Sequence, residues 1–163
     1  MNKKICVVGA GYWGKNHIRT LNELGVLRGI VESNLKLRES LAIQYSNVPC
    51  FEDINLALNE DYDGFTVATP AESHYEIAKM IIMSGKHVLI EKPMTLSVTH
   101  SEELVTLSDK FGVNLMVGHV LLFHPAIKKI KELIDKGDIG ELQYIYSNRL
   151  NLGKVRTEEN VFW

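Results

Sequence analysis

Ile5-Cys6-Val7-Val8-Gly9-Ala10-Gly11-Tyr12-Trp13-Gly14 runs from a short β-branched stretch into a G-x-G-x-x-G loop and on into a helical pattern. In that setting the first glycine permits the tight turn, and the second lets a pyrophosphate approach the backbone. The third lets helix and strand pack closely. Free N–H groups at the start of the helix then receive the negative charge. A glycine-rich turn with no ligand is the bland reading. The strand before the loop and the helix after it favour dinucleotide binding, with Gly9, Gly11, Tyr12, Trp13 and Gly14 as candidate contacts.

Working outward, short β-branched runs alternate with helical patterns. Lys4–Val8, Leu27–Glu32, Gly64–Ala68, His87–Glu91 and Asn114–Gly118 read as strands, and Val48–Phe51 as a short extra one. They lack polar alternation, as strands buried on both faces of a parallel sheet do. Leu37, Leu41 and Tyr45 share a helical face, as do Ile77 with Ile81, and Leu104 with Leu107 and Phe111. Gly25, Gly85, Gly112 and Gly137 stand where helices end. Asp53 and Ser97 stand at N-cap positions, and Thr69-Pro70-Ala71-Glu72 reads as a capping box with proline at N1. Such alternation predicts an α/β, doubly wound Rossmann sheet.

The rhythm changes after Gly118. Pro125–Lys136 reads as an amphipathic helix with Ile127, Ile130 and Ile134 on one face, and Glu141–Leu152 as a long, partly polar strand suited to an open antiparallel sheet. A boundary near Leu122 gives residues 1–122 as the Rossmann domain and 123–163 as the incomplete start of an α+β domain. A chain ending on Val161-Phe162-Trp163 reads as one cut inside a larger protein.

Bulk properties narrow the function. The 163 residues suffice for one real core, and a net charge of −2 offers no broad basic face for nucleic acid. No run approaches the roughly 20 apolar residues that span a bilayer. Gly9 and Gly11 break the initial apolar run too early for a signal peptide. Cys6 and Cys50 read as reduced structural thiols, and no metal-ligand spacing is present. The reading is a cytoplasmic, metal-free protein that binds neither nucleic acid nor membrane.

Chemistry-bearing residues recur at strand ends, where ligands of open α/β sheets bind. Glu32 ends the second strand, eighteen residues beyond Gly14, where a carboxylate accepts hydrogen bonds from the adenosine ribose. The same charge repels a 2′-phosphate and favours NAD over NADP, while Ser33, Asn34 and Arg38 leave NADP open. Thr69 and Pro70 end another strand. His74 either lines the crevice or serves as a surface or capping histidine. Glu91-Lys92-Pro93 ends the next strand, so Lys92 is the candidate that holds, polarises or deprotonates a substrate hydroxyl, against a plain turn lysine. A partly desolvated lysine beside oxidised nicotinamide would ionise less readily. His119 faces either the same cleft or the core. S-adenosylmethionine-dependent methyltransferases share the glycine turn and the acidic strand end, but Gly14 and the later motifs favour the dinucleotide.

Gly9–Gly14, Glu32, Thr69-Pro70 with His74, Glu91-Lys92-Pro93 and the Gly137-Asp138-Ile139-Gly140-Glu141 turn together resemble the glucose-fructose oxidoreductase/inositol dehydrogenase (Gfo/Idh/MocA) family. The resemblance implies Lys92 as the active-site lysine, with a cis Lys92–Pro93 bond. It also implies a second domain that supplies substrate contacts and a homo-oligomer interface, and a downstream Asp-x-x-His general acid/base. No such element precedes Trp163, so cofactor binding is expected of this chain and turnover is not. Gly11–His17 and Gly118–Pro125 are most similar to the family's nucleotide-sugar 3-dehydrogenases, which oxidise UDP-N-acetylhexosamine-type sugars with NAD. Asn148 and Arg149 either approach the sugar or are solvated strand residues. A non-catalytic NAD-binding or redox-sensing module is the alternative, since this fold serves both.

Overall fold

The structure is a computed structural model that describes residues 3–148 and 150. Its strands are β1 (Ile5–Val8), β2 (Leu27–Val31), β3 (Cys50–Phe51), β4 (Gly64–Val67), β5 (His87–Ile90) and β6 (Leu115–Val117). They form one sheet in the order β3-β2-β1-β4-β5-β6. Every neighbouring pair is parallel. This is the doubly wound Rossmann order, with its topological switch between β1 and β4.

Helices cover both faces, which explains strands apolar on both sides. Ile18 of α1 (Gly14–Glu23) and Leu41 of α2 (Leu35–Gln44) pack with Val7, Ala10, Leu27 and Ile30. On the other side, α3 (Ile54–Leu58), α4 (His74–Met83) and α5 (Val98–Phe111) bury Ile54, Ala78, Ile81, Ile82 and Leu104 against Cys6, Phe65, Val67, Val88 and Ile90.

The register aligns the carboxyl ends of the strands. Val8 pairs with Val31 and Val67, Val31 with Phe51, Val67 with Ile90, and Ile90 with Val117. Backbone bonds carry the ladder one residue further, from Gly9 to Val31, Glu32 to Phe51, Ala68 to Val8, Glu91 to Val67 and Gly118 to Ile90. Gly9, Glu32, Ala68 and Glu91 therefore leave the sheet along a single edge.

Local signals mostly hold. Gly25, Gly85, Gly112 and Gly137 all have positive φ after helices, and the Asp53 side chain accepts the N–H of Asn55 at 2.7 Å. Two caps differ. Ala71–Ser73 is a 3-10 turn rather than the start of a capped α-helix, which begins only at His74. The Ser73 hydroxyl donates to Thr69 Oγ1 and to the Pro70 carbonyl, both at 2.8 Å, so Thr69 is engaged by a hydroxyl and the expected capping box does not form. Ser97 occupies an N-cap position without capping; its own N–H is bonded by Thr95 Oγ1 at 3.2 Å.

The chain divides into two compact units, 1–118 and 119–163. In the second, a 3-10 turn (Val120–Phe123) precedes α6 (Pro125–Asp135). The His124 ring caps α6 by accepting from Ala126 N–H at 3.2 Å, with Pro125 in the first turn. The long strand expected over 141–152 does not form in residues 141–148 or at 150. Alternating residues make a strand only when a neighbouring strand completes the ladder, and Tyr144, Ile145 and Tyr146 stand 84, 74 and 83 % exposed. Residues 151 and 152 lie outside the described residues.

Candidate functional site

The loop between β1 and α1 is shaped by its glycines in different ways. Gly9 has φ +87°, and a Cβ there would sit 2.9 Å from Thr69 Cγ2. A Cβ on Gly14 would collide with the carbonyl oxygen of Gly9, so this glycine sets how closely α1 approaches the strand. At Gly11 a Cβ would meet nothing within 4 Å. The protein's own packing does not demand glycine at that position, whereas the approach of a ligand to the backbone would. Helix α1 has no side-chain cap and no acidic residue in its first turn, which suits an anion. Tyr12 is 84 % exposed and forms an edge-on pair with Trp13 at 6.1 Å.

Glu32 reaches back to this loop. Its Oε2 accepts the N–H of Ala10 at 2.9 Å, and its Oε1 accepts the N–H of Asn34 at the same distance. Each oxygen retains acceptor capacity, so the carboxylate is oriented but not saturated. Arg38, which left NADP open, is engaged elsewhere. Its guanidinium donates to the carbonyls of Glu32 at 2.8 Å and Ser33 at 3.2 Å, and lies 3.5 Å from Glu52. The glycine cradle, the uncapped helix and the oriented carboxylate fit a dinucleotide.

Thr69 is half-buried and Pro70 exposed at the end of β4. His74 lies in the core at 1 % exposure, not on the surface. Its Nε2 is 2.8 Å from the Thr69 carbonyl oxygen and its Nδ1 is 2.8 Å from that of Pro93. The ring therefore ties the end of β4 to the loop after β5, a packing role beneath the strand ends.

Glu91-Lys92-Pro93 contains a cis Lys92–Pro93 bond. Glu91 is buried, and its Oε1 lies 2.7 Å from Nε2 of His17, on the first turns of α1. Lys92 is exposed, so desolvation of its amine would have to come from a bound ligand rather than from this unit. His17 is the residue that pattern reading missed. Its signal was three-residue spacing from Gly14, on the side of α1 that also carries buried Ile18.

His119 and Asn148 belong to the second unit, where both are exposed. Arg149 lies outside the described residues. Among the described residues no helix is long and apolar enough to cross a membrane.

The signature of the Gfo/Idh/MocA oxidoreductase family, described as an NAD-binding Rossmann fold, matches residues 3–119. The chain belongs to this family. An uncharacterized oxidoreductase of Synechocystis is 33 % identical over 147 residues, covering 88 % of this chain and 40 % of that protein. The UDP-N-acetylglucosamine 3-dehydrogenase of Acidithiobacillus ferrooxidans is 26 % identical over 151 residues, covering 93 % and 46 %. Among solved structures, the WlbA dehydrogenase of Bordetella pertussis, in complex with NADH and UDP-GlcNAcA, superposes with a TM-score of 0.80 at 25 % identity. That match covers 86 % of this chain and 44 % of that one. The chain thus spans under half the length of these relatives.

Proposed function

We propose that this chain binds NAD and serves a dehydrogenase acting on a hydroxyl of a sugar or nucleotide sugar. The observation that carries the proposal is the open position at Gly11, between a strand end and an uncapped helix, with Glu32 bonded to the same loop. The nucleotide-sugar class is supported by the kinship with the 3-dehydrogenase of Acidithiobacillus ferrooxidans and with the Bordetella pertussis dehydrogenase.

In this reading the backbone of Gly11 and the first turn of α1 hold the pyrophosphate, and Glu32 accepts from ribose hydroxyls. Thr69 and Pro70 border the cofactor crevice from the end of β4. When bound, the nicotinamide supplies the acceptor for the hydride that leaves the carbinol carbon. Lys92 bonds the substrate hydroxyl through Nζ and orients it. The proton released as the hydride leaves passes to the histidine of the downstream Asp-x-x-His element that the family resemblance implies. Its exposed side chain is free to meet a substrate brought to the sheet edge.

The test is parallel calorimetric titration with NAD, NADP and S-adenosylmethionine, using Gly11→Val as control. Binding of NAD that disappears in Gly11→Val supports the cofactor reading; binding of S-adenosylmethionine instead would replace it. Turnover, which is not expected of this chain by itself, is then assayed with UDP-N-acetylhexosamines in a version that carries the second domain, by formation of reduced nicotinamide. In that assay Lys92→Met should abolish turnover while NAD still binds.

A further inference from the structure

Glu91 is a carboxylate at 7 % exposure, and a charge so placed requires partners. Oε1 takes the imidazole of His17 at 2.7 Å, and Oε2 accepts the backbone N–H of Lys92 at 3.3 Å. Gly118 closes the other side, where a Cβ would stand 3.2 Å from the carboxylate carbon and from both oxygens. The carboxylate is therefore confined, and its position is set by His17. A carboxylate oxygen only accepts, so His17 Nε2 carries the proton in this contact.

The two ends of the contact have different neighbours. His17 sits three residues beyond Gly14, on the helix whose first turn faces the glycine loop. Glu91 directly precedes Lys92, and its carboxylate also holds the Lys92 N–H. One hydrogen-bonded path thus runs from the anion-binding turn to the backbone of the candidate substrate lysine.

We propose that His17 is a positioning residue that ties Lys92, through Glu91, to the first turns of α1, so that an anion arriving at the glycine loop is registered at Lys92. The inference rests on the cofactor reading above. The relay itself uses only hydrogen bonds within this chain.

The probe is ADP, which carries the adenosine and both phosphates but no nicotinamide to touch Lys92 directly. Lysine side-chain signals of the whole chain are followed by NMR with isotope-labelled lysine, and Lys92 is assigned by its loss in Lys92→Arg. His17→Gln keeps an N–H donor at about the reach of Nε2, whereas His17→Asn ends short of Glu91. ADP is expected to shift the Lys92 signal in the parent and in His17→Gln. In His17→Asn the shift should fall by more than about half while ADP affinity changes less than about threefold. An undiminished shift in His17→Asn, or no shift in a parent that binds ADP, overturns the proposal. Should His17→Asn fail to fold, Glu91→Leu removes both acceptor oxygens from the same path and must show the same loss. If neither ADP nor NAD binds the parent, the cofactor reading falls first, and that outcome is distinct from a bound ligand that leaves Lys92 unmoved.

Discussion

Glu32 accepts the backbone N–H of Ala10 at 2.9 Å, so the acidic residue ending β2 is bonded directly to the glycine loop after β1. It therefore does two things in the proposed complex: it fixes the loop, and it offers its remaining lone pairs to the ribose. Hydrogen bonds to a charged group contribute about 1.5–3 kcal/mol, so Glu32→Ala should weaken NAD binding roughly tenfold to a hundredfold. The ratio of NAD to NADP affinity should fall as well, because the charge opposing a 2′-phosphate is gone. Calorimetry with both dinucleotides measures this, and an unchanged ratio would remove Glu32 from cofactor selection.

Gly11 and Gly14 look equivalent in the motif but should fail differently. Gly11 has open space around its missing Cβ, so Gly11→Val should leave unfolding stability within about 0.5 kcal/mol of the parent while abolishing NAD binding. Gly14→Ala drives a methyl into the Gly9 carbonyl and should cost about 1–3 kcal/mol or more in stability. Urea unfolding of both variants beside NAD titration separates them. Equal destabilisation by the two would contradict the assignment of Gly11 to the ligand.

Both ring nitrogens of His74 lie 2.8 Å from carbonyl oxygens, those of Thr69 and Pro93, and the nitrogen that carries the proton donates to its carbonyl. His74→Leu keeps the bulk and strands the acceptor that the ring N–H satisfies, and an unpaired group shielded from water costs about 1–3 kcal/mol. A loss of at least about 1 kcal/mol in unfolding free energy is expected, read from the denaturant midpoint at constant slope. A variant as stable as the parent would mean that His74 is held for contact with a ligand instead.

The strands were legible because parallel strands covered on both faces must be apolar throughout, as Val7, Val8, Phe65 and Val67 are. Helix ends were legible because a C′ residue needs the left-handed region, and glycine marks it at Gly25 and Gly112. Caps were harder, since Thr69 and Ser97 carry the right hydroxyls yet Ser73 and Thr95 make the bonds. The segment after Glu141 misled because alternation describes a strand's faces and says nothing about whether a neighbour is present to pair with. The contact of His17 with Glu91 spans 74 residues and was invisible to any local pattern. Only the aligned strand ends bring those two residues together.

Cys6 and Tyr62 lie buried in the same core, at 0 and 5 % exposure, and the two thiols of Cys6 and Cys50 are free. Burial pushes the Cys6 thiol well above its ordinary 9.0 and the Tyr62 phenol well above its ordinary 10.0. Both shifts have one sign: the folded chain keeps protons that the unfolded chain releases, so ionisation favours unfolding. Stability from these groups is complete below pH 9.0 and is lost as the pH rises through and beyond the ordinary values. For Cys6 the loss approaches about 1.4 kcal/mol per pH unit once the unfolded thiol is ionised. Urea midpoints should therefore be flat from about pH 7 to 8 and then fall. Cys6→Ala should flatten the first part of that fall, and Tyr62→Phe, which removes the hydroxyl bonded to the Arg28 carbonyl at 3.1 Å, the later part. The comparison uses the shape of each profile, because both variants also shift its height. A Cys6→Ala profile parallel to the parent throughout would show that alkaline instability comes from other groups.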